Sequence, residues 1–285
     1  MVHLLIVGDT GTGDNNQRKV AKIMEEQITN ETDACVLLGD NFYETGTKGI
    51  SDAQFRHKFE DIYTHMKVPF WAILGNHDWG NQEGTDGRHM SQVEYSKHSE
   101  KWNMPSRYYH HVFGNCDFFM LDTNFEWMDP EDIQEQYNTM IELIKGSKQK
   151  WKILCGHHTW RSVGGHGNAD KNLEDFLQDL VQKCGTRIHL YMCGHDHCKN
   201  VIDLKMTKGP TKSLKCVVIG TGSKLFSDEY LNLKNAGESS NSYLHFHSPN
   251  LGFCDFRSDS KKIHLDFYGV AKDGSGVKEY DCEVS

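Results

Sequence analysis

The stretch that decides the fold is LLIVGD at residues 4–9, an apolar run that ends in a glycine and an aspartate. A short apolar run stopped by glycine is typical of a buried strand. The pattern of an apolar run, a glycine and a side chain able to bind a metal occurs five times: at Gly8-Asp9, Gly39-Asp40, Gly75-Asn76, Gly156-His157 and Gly194-His195. Because ligands of open α/β sheets bind beyond the carboxyl ends of the strands, the pattern predicts a metal cluster at one sheet edge.

Amphipathic helices are predicted between several of these strands. Apolar residues recur with a helical period in three segments: Asn16–Gln27, 130–145 and 173–184. Asp129 and Pro130 supply an N-cap and a first helical residue for the second of them. From Leu214 onward the pattern is rich in short strands, so we predict one α/β domain over residues 1–285.

The remaining segments divide into further strands and loops. Strands are predicted at 118–121, 216–219, 243–247, 252–257, 263–268 and 277–283. Polar or glycine-rich loops, which we expect to be exposed, are predicted at 81–89, 160–168 and 227–242.

Composition excludes several classes of protein. The 285 residues include 31 basic and 40 acidic side chains, a formal net charge of −9, and 37% are hydrophobic. No apolar run approaches the roughly 20 residues of a membrane span, and the hydrophobic content is too high for a disordered chain. The acidic balance argues against a nucleic-acid-binding protein. The 17 histidines have no explanation in bulk composition and need one from their positions.

Cysteine usage and the start of the chain bear on the compartment. Nine is an odd number, so the cysteines cannot all pair within one chain. Several lie in apolar stretches, which predicts that they are buried and pack as small hydrophobic residues. The first residues lack the basic start and long apolar region of a signal peptide. These features predict a cytoplasmic protein, or a secreted or lysosomal one if a leader has been removed.

Taken in succession, the five motifs resemble those of the dinuclear metallophosphoesterases of the calcineurin-like superfamily. Within that superfamily the chain is most similar to the small, single-domain purple acid phosphatases of the tartrate-resistant type. The resemblance extends to stretches between the motifs, at 59–62, 67–70, 95–97, 101–106 and 243–247, and is weakest over 223–241. It implies an α/β fold in the form of a four-layer α/β/β/α sandwich, with two mixed sheets flanked by helices.

One substitution places the resemblance in the purple branch. Most metallophosphoesterases carry a histidine ligand where this chain has Gly11, and the purple phosphatases have a tyrosine ligand instead, matched here by Tyr43. Phenolate is a hard anionic donor suited to Fe(III), and charge transfer from it to the iron would colour the protein.

The resemblance implies two metal sites that share one bridging carboxylate. Its ligands are Asp9, Asp40, Tyr43 and His197 for the first metal, and Asp40, Asn76, His157 and His195 for the second. It implies Fe(III) in the first site and Fe(II), Zn or Mn in the second, and these hard or borderline donors suit such ions. Two adjacent metals can hold a phosphoryl group and stabilise both the attacking and the leaving oxygen.

Two further histidines match family positions that act on the substrate. His77 follows the ligand Asn76, and His166 lies nine residues after His157. A protonated imidazole beside the phosphate can donate its proton to the departing alkoxide. The alternative for His166 is a solvated loop histidine without a role. The chain departs from the family after His157, where His158-Thr159 replaces Tyr-Pro, so the rim of the substrate site should differ in shape.

The resemblance therefore implies an acid phosphatase that hydrolyses phosphate monoesters through attack of a metal-bound hydroxide on phosphorus. The expected partner is a phosphate monoester, either a small molecule or a phosphoprotein, with no nucleic acid or membrane involved. Two alternatives stay open. One is a phosphodiesterase or protein phosphatase built on the same metal site. The other is a catalytically silent binding module of this fold, which predicts lost ligands, whereas all seven positions hold competent donors.

Overall fold

The computed structural model describes residues 1–80, 87–226 and 241–285. Its helices are α1 (Asn15–Glu25), α2 (Ala53–Phe55), which continues into a π-helical turn over Arg56–Glu60, α3 (Met90–Tyr95), α4 (Pro130–Gly146) and α5 (Lys171–Lys183). Its strands are β1 (Val2–Val7), β2 (Ala34–Leu37), β3 (Phe70–Ala72), β4 (Trp102–Asn103), β5 (Tyr109–Phe113), β6 (Cys116–Met120), β7 (Trp151–Cys155), β8 (Leu190–Cys193), β9 (Lys199–Lys205), β10 (Ser213–Ile219), β11 (Ser242–Ser248), β12 (Gly252–Ser258), β13 (Ile263–Val270) and β14 (Gly276–Val284).

The strands form two seven-stranded mixed sheets. The first has the order β14-β13-β12-β1-β2-β3-β4, in which β1 to β4 are parallel and β12 runs antiparallel to β1. The second has the order β11-β9-β10-β8-β7-β6-β5, in which β6, β7, β8 and β10 are parallel. The central strands β1, β2, β7 and β8 are buried along their whole length, as expected of strands covered on both faces.

Helices cover the outer face of each sheet. Helix α1 packs on β12 and β13 of the first sheet. Helices α4 and α5 pack on the second sheet, where Met140 and Leu177 share an apolar cluster with Leu154 and Tyr191. The larger apolar cluster contains residues of both sheets, including Leu5 of β1. The predicted four-layer α/β/β/α sandwich is therefore confirmed.

Three strands were not predicted from the sequence, namely β4, β5 and β9. The most informative is β9, which is polar in sequence yet buried, because it pairs with β10 on one side and β11 on the other. Its Lys199 is fully buried and donates to the Asn250 carbonyl at 2.8 Å, with Glu279 3.0 Å away. A buried charge of this kind depends on partners that are distant in sequence.

The expectation that the loop over 160–168 is exposed is wrong for its first half. Trp160, Ser162 and Val163 are fully buried, and Trp160 packs in the cluster beneath α5. The loop is anchored by an ion pair of 2.5 Å between Arg161 and Glu174 of α5. Most of the other two predicted loops, at 81–86 and 227–240, lies outside the described residues.

Two other expectations concern the cysteines and membrane-spanning helices. All nine cysteines are free and eight are buried, so they serve as apolar residues, as predicted. In the part of the chain that the structure describes, no helix is long and apolar enough to cross a membrane.

Candidate metal centre

The five motif strands belong to both sheets rather than to one sheet edge. Strands β1, β2 and β3 lie in the first sheet, and β7 and β8 lie in the second. Their carboxyl ends meet across the sandwich, where the ring of His157 bonds the carbonyl of Leu38 through Nδ1 at 2.8 Å. The motif residues therefore come together between the two sheets.

Three of the predicted ligands have a left-handed backbone. Asp9, Asp40 and His195 have φ angles of 60°, 54° and 66°. This conformation is uncommon for residues other than glycine and costs about 1–3 kcal/mol each. It turns the backbone sharply after each of the three strands, and hydrogen bonds hold these turns in place. One of them joins Asp9 N–H to the Gly39 carbonyl at 2.9 Å. Such strain is concentrated at functional sites in proteins.

A first group of donor atoms is formed by Asp9, Tyr43 and His197, which we call the first donor cluster. The Tyr43 hydroxyl donates to Asp9 Oδ1 at 3.0 Å. His197 Nε2 lies 3.4 Å from both the Tyr43 oxygen and Asp9 Oδ1. These residues follow β1, β2 and β8, so the cluster joins both sheets.

A second group is formed by Asn76, His157 and His195, the second donor cluster. Asn76 Oδ1 lies 3.0 Å from His157 Nε2 and 3.1 Å from His195 Nδ1, and the two nitrogens are 3.2 Å apart. Since Nδ1 of His157 donates its proton to the Leu38 carbonyl, its Nε2 is the nitrogen directed into the cluster.

Asp40 lies between the two clusters. Its Oδ1 is 3.4 Å from His157 Nε2 and accepts the backbone N–H of His77 at 2.9 Å. Ligand atoms of Asp9, Asp40 and His157 lie within 4.8 Å of one another, and all three residues are buried. The arrangement has the geometry of a carboxylate shared by two adjacent sites.

The electrostatics of the buried donors favour a bound cation. Burial raises the pKa of the Tyr43 phenol well above its usual range, and the carboxylates of Asp40 and Asp9 raise it further. A phenolate at this position therefore requires a cation beside the two carboxylates. Burial would raise the pKa of Asp40, but the charge and hydrogen bond of His157 hold it well below its usual range.

Two glycines permit the close approach of these side chains. A Cβ atom on Gly39, which has a φ of +87°, would lie 2.5 Å from Nδ1 of His157. A Cβ atom on Gly75 would lie 2.2 Å from Oδ1 of Asp40. Both distances are shorter than any tolerated contact, so the glycines of the repeated motif make room for the ligand side chains.

Both histidines predicted to act on the substrate flank the clusters. His77 contacts the Glu44 carbonyl through Nδ1 at 2.5 Å, and its Nε2 lies 3.9 Å from Asp40 Oδ2. The ring of His166 stacks on His195 with a centroid distance of 4.1 Å and an interplanar angle of 25°. His166 is also exposed, so the alternative of a solvated loop histidine without a role stays open.

Two buried aspartates hold the site together, and neither was predicted from the sequence to have a role. Asp78 accepts N–H groups of Gly75 at 2.8 Å, Asn41 at 3.0 Å and Phe42 at 3.1 Å, and thereby ties the loop after β2 to the loop after β3. Burial, followed by the charge of Asp40, raises the pKa of Asp78 to about 7. The only sequence signal was its place two residues after a ligand.

The second of these aspartates, Asp196, lies between His195 and His197. Its carboxylate accepts the backbone N–H groups of His166 at 2.8 Å and Gly167 at 3.2 Å. It therefore fixes the loop that presents the His166 ring to the second donor cluster.

A cavity of about 600 Å³ opens beside the second donor cluster. Asn76, His158, His166 and His195 line one part of it, and Phe125, Glu126 and Trp127 line another. His158, at the position that departs from the family, is held by Thr123, whose hydroxyl lies 2.9 Å from its Nδ1.

Comparison with known proteins gives the family. Residues 2–199 match the model of the calcineurin-like phosphoesterases. The chain belongs to the calcineurin-like phosphoesterase family.

Within that family its relatives are purple acid phosphatases. The chain is 31% identical over 219 residues to purple acid phosphatase 7 of Arabidopsis thaliana. This alignment covers 68% of this chain and 63% of that protein. It is 29% identical over 276 residues to tartrate-resistant acid phosphatase type 5 of Mus musculus, covering 86% of this chain and 79% of the relative. The names of both relatives describe acid phosphatases.

A solved structure shares the whole fold. GAP50, described as the anchor in the inner membrane complex of Plasmodium, superposes with a TM-score of 0.78 at 22% identity, over 100% of this chain and 88% of that one. At this identity the likeness shows the architecture alone.

Proposed function

We propose that the chain is a binuclear metal-dependent acid phosphatase that hydrolyses phosphate monoesters. The observation that carries the proposal is the meeting of two donor clusters on either side of Asp40. Every position at which the family has a ligand holds a side chain able to bind a metal.

The spacing and chemistry of the donors fit two metal ions. Ligand atoms bound at about 2.1 Å to one ion lie about 3.0–3.4 Å from each other. The contacts within both clusters fall between 3.0 and 3.4 Å. Carboxylate, phenolate, amide oxygen and imidazole suit iron, zinc or manganese. We infer Fe(III) at Asp9, Asp40, Tyr43 and His197, and Fe(II), Zn or Mn at Asp40, Asn76, His157 and His195.

The protein's own residues bind and orient the substrate in this proposal. When bound, the metal pair supplies Lewis acidity and activates water for attack on phosphorus. His77, whose Nδ1 is held by the Glu44 carbonyl, is placed to bind a phosphate oxygen through Nε2. His166, fixed by Asp196, is placed to donate a proton to the departing alkoxide.

Metal analysis together with the visible spectrum tests the identity of the site. We expect two metals per chain, one of them iron, and a visible band from charge transfer between Tyr43 and iron. Tyr43→Phe should abolish the band. Tyr109→Phe is a matched control, because Tyr109 is also buried but donates to the Ala72 carbonyl. A manganese-only protein without the band would contradict the assignment.

Hydrolysis of matched mono- and diesters tests the reaction. With the metals bound, we expect 4-nitrophenyl phosphate to be cleaved with a higher kcat/KM than bis(4-nitrophenyl) phosphate at acidic pH. A strong preference for the diester would favour the phosphodiesterase alternative and contradict the proposal. Greater activity on a phosphoprotein than on small esters would favour a protein phosphatase.

A second candidate is a binding or anchoring module that keeps the fold without catalysis; GAP50, which is described as an anchor, has the same architecture. This alternative predicts a protein that takes up no metal. A colourless preparation that stays inactive after iron is supplied would support it, whereas stoichiometric metal uptake with hydrolysis would exclude it.

A further inference from the structure

The charge of the cavity beside the second donor cluster is unusual for a site that binds phosphate esters. Among the described residues that line it, none is lysine or arginine, and two, Glu126 and Asp170, are acidic. The part of the cavity near His166 and His195 adjoins the donor clusters, so the phosphoryl group would lie there. The rest of the cavity is the space left for the alcohol part of the ester.

Both acidic side chains are exposed and lack a basic partner among the residues that the structure describes. Glu126 lies in the loop that leads from β6 to α4. Asp170 is the N-cap of α5 and uses Oδ1 to accept the N–H of Leu173 at 2.9 Å. Neither carboxylate at the wall of the cavity is therefore offset by an ion pair within the described residues.

The basic side chains nearest to Asp170 in sequence are already paired with other acids. Arg161 is paired with Glu174 at 2.5 Å, and Lys171 with Asp175 at 2.6 Å. Each of these cations is offset by its own carboxylate, so neither neutralises the negative wall of the cavity.

The same wall carries aromatic surface. Phe125 and Trp127 are half-buried, and Phe125 packs edge-on against Phe176 of α5 at 5.0 Å. Leu173 and Ala169 add aliphatic surface. Aromatic faces bind apolar groups and also attract cations, whereas a carboxylate repels a second negative charge.

We propose that this cavity selects phosphate monoesters whose alcohol part has apolar surface and is uncharged or cationic, and rejects those with a second anionic group. Nucleoside di- and triphosphates and esters of acidic peptides would then be poor substrates. This inference rests on the proposed monoesterase function and adds the substrate class for the same site.

A pair of tyrosine phosphates isolates the effect of charge. O-phosphotyrosine methyl ester keeps a free amine, whereas N-acetyl-O-phosphotyrosine keeps a free carboxylate, and both release the same kind of phenol. With the metals bound, we expect kcat/KM to be about fivefold to tenfold higher for the methyl ester at low ionic strength. Added salt should reduce this ratio, because the charges are exposed to solvent.

Variants assign the preference to the two carboxylates. Glu126→Gln and Asp170→Asn should each lower the ratio, and the double variant should bring it close to one. Asparagine retains the helix cap, so α5 should remain folded. Glu25→Gln is a matched control: it removes the same charge from the exposed face of α1, which packs on the other sheet.

The outcomes separate the two claims. If both esters are hydrolysed with equal kcat/KM, or the anionic ester is preferred, or the double variant keeps the ratio, the selection is overturned and the monoesterase function stands. If the metal-loaded protein hydrolyses neither ester, the proposed function itself is overturned, and the substrate class with it.

Discussion

Nδ1 of His195 lies 3.2 Å from Nε2 of His157, and Asn76 Oδ1 is within 3.1 Å of both nitrogens. The three residues follow β8, β7 and β3, so they join the ends of strands from both sheets. Since Nδ1 of His157 donates its proton to the Leu38 carbonyl, Nε2 is the ring nitrogen that faces the cluster. A bound cation would therefore connect the two halves of the sandwich.

Metal binding should consequently stabilise the protein. At a free metal concentration about 100 times the Kd, binding contributes about 2.7 kcal/mol, which raises Tm by about 5–10 °C. We expect this rise when the metal-free protein is titrated with zinc and followed by calorimetry. His195→Ala should lose most of it, whereas His264→Ala, on β13 and remote from the clusters, should keep it. An undiminished rise in His195→Ala would contradict the assignment of the second cluster.

Gly39→Ala should inactivate the protein by displacing a ligand. The added Cβ would lie 2.5 Å from His157 Nδ1, where the ring bonds the Leu38 carbonyl. A shift of about 1 Å in a site group can cost about 100-fold in rate, and we expect a loss of that size in kcat/KM. Gly185→Ala is the matched control: its φ is +75°, but no atom lies within 4 Å of the added Cβ. The control should lose about 1 kcal/mol of stability and keep its activity. Equal activity in the two variants would contradict the steric argument.

His166→Asn should slow the hydrolysis of esters with poor leaving groups most. If His166 donates a proton to the departing oxygen, its loss costs about 100-fold or more in kcat for an alkyl ester such as glycerol 2-phosphate. The 4-nitrophenyl ester, whose leaving group needs little protonation, should be slowed much less. The exposed His65, changed to asparagine, serves as the control. Equal losses on both esters would show that His166 only binds phosphate.

Asp122→Asn should change the pH dependence of stability. Burial raises the pKa of this carboxyl to about 6, whereas an exposed aspartate has a pKa of about 3.9. Between these values the native state holds more protons than the unfolded state, so the free energy of unfolding of the metal-free wild type falls as pH rises. Near pH 7 the ionised, buried carboxylate lowers the free energy of unfolding by about 2–3 kcal/mol. Asparagine, which carries no charge, should remove this loss.

Denaturant unfolding of the two metal-free proteins at pH 4 and pH 7 provides the measurement. The stability of Asp122→Asn relative to the wild type should rise by about 2–3 kcal/mol between these pH values. A difference that does not vary with pH would show that Asp122 is not held protonated by burial.

The strand ends were predictable because their signal is local. An apolar run stopped by glycine depends on neighbouring residues only, and so LLIVGD marked the end of β1. The role of Asp78 was not predictable in this way, since its carboxylate accepts N–H groups from Asn41 and Phe42, more than 30 residues earlier. The polar strand β9 was missed for the same reason, because the partners of Lys199 lie far along the chain.

By itself the sequence determined where the strands end and which donor side chain follows each of them. Only the tertiary structure decided that these donors form two clusters around Asp40, between two sheets rather than along one edge. The physical reason is that the position of a strand end is set by local backbone sterics and apolar patterning. The distance between His157 and Asn76, 81 residues apart, is set instead by the packing of one sheet on the other.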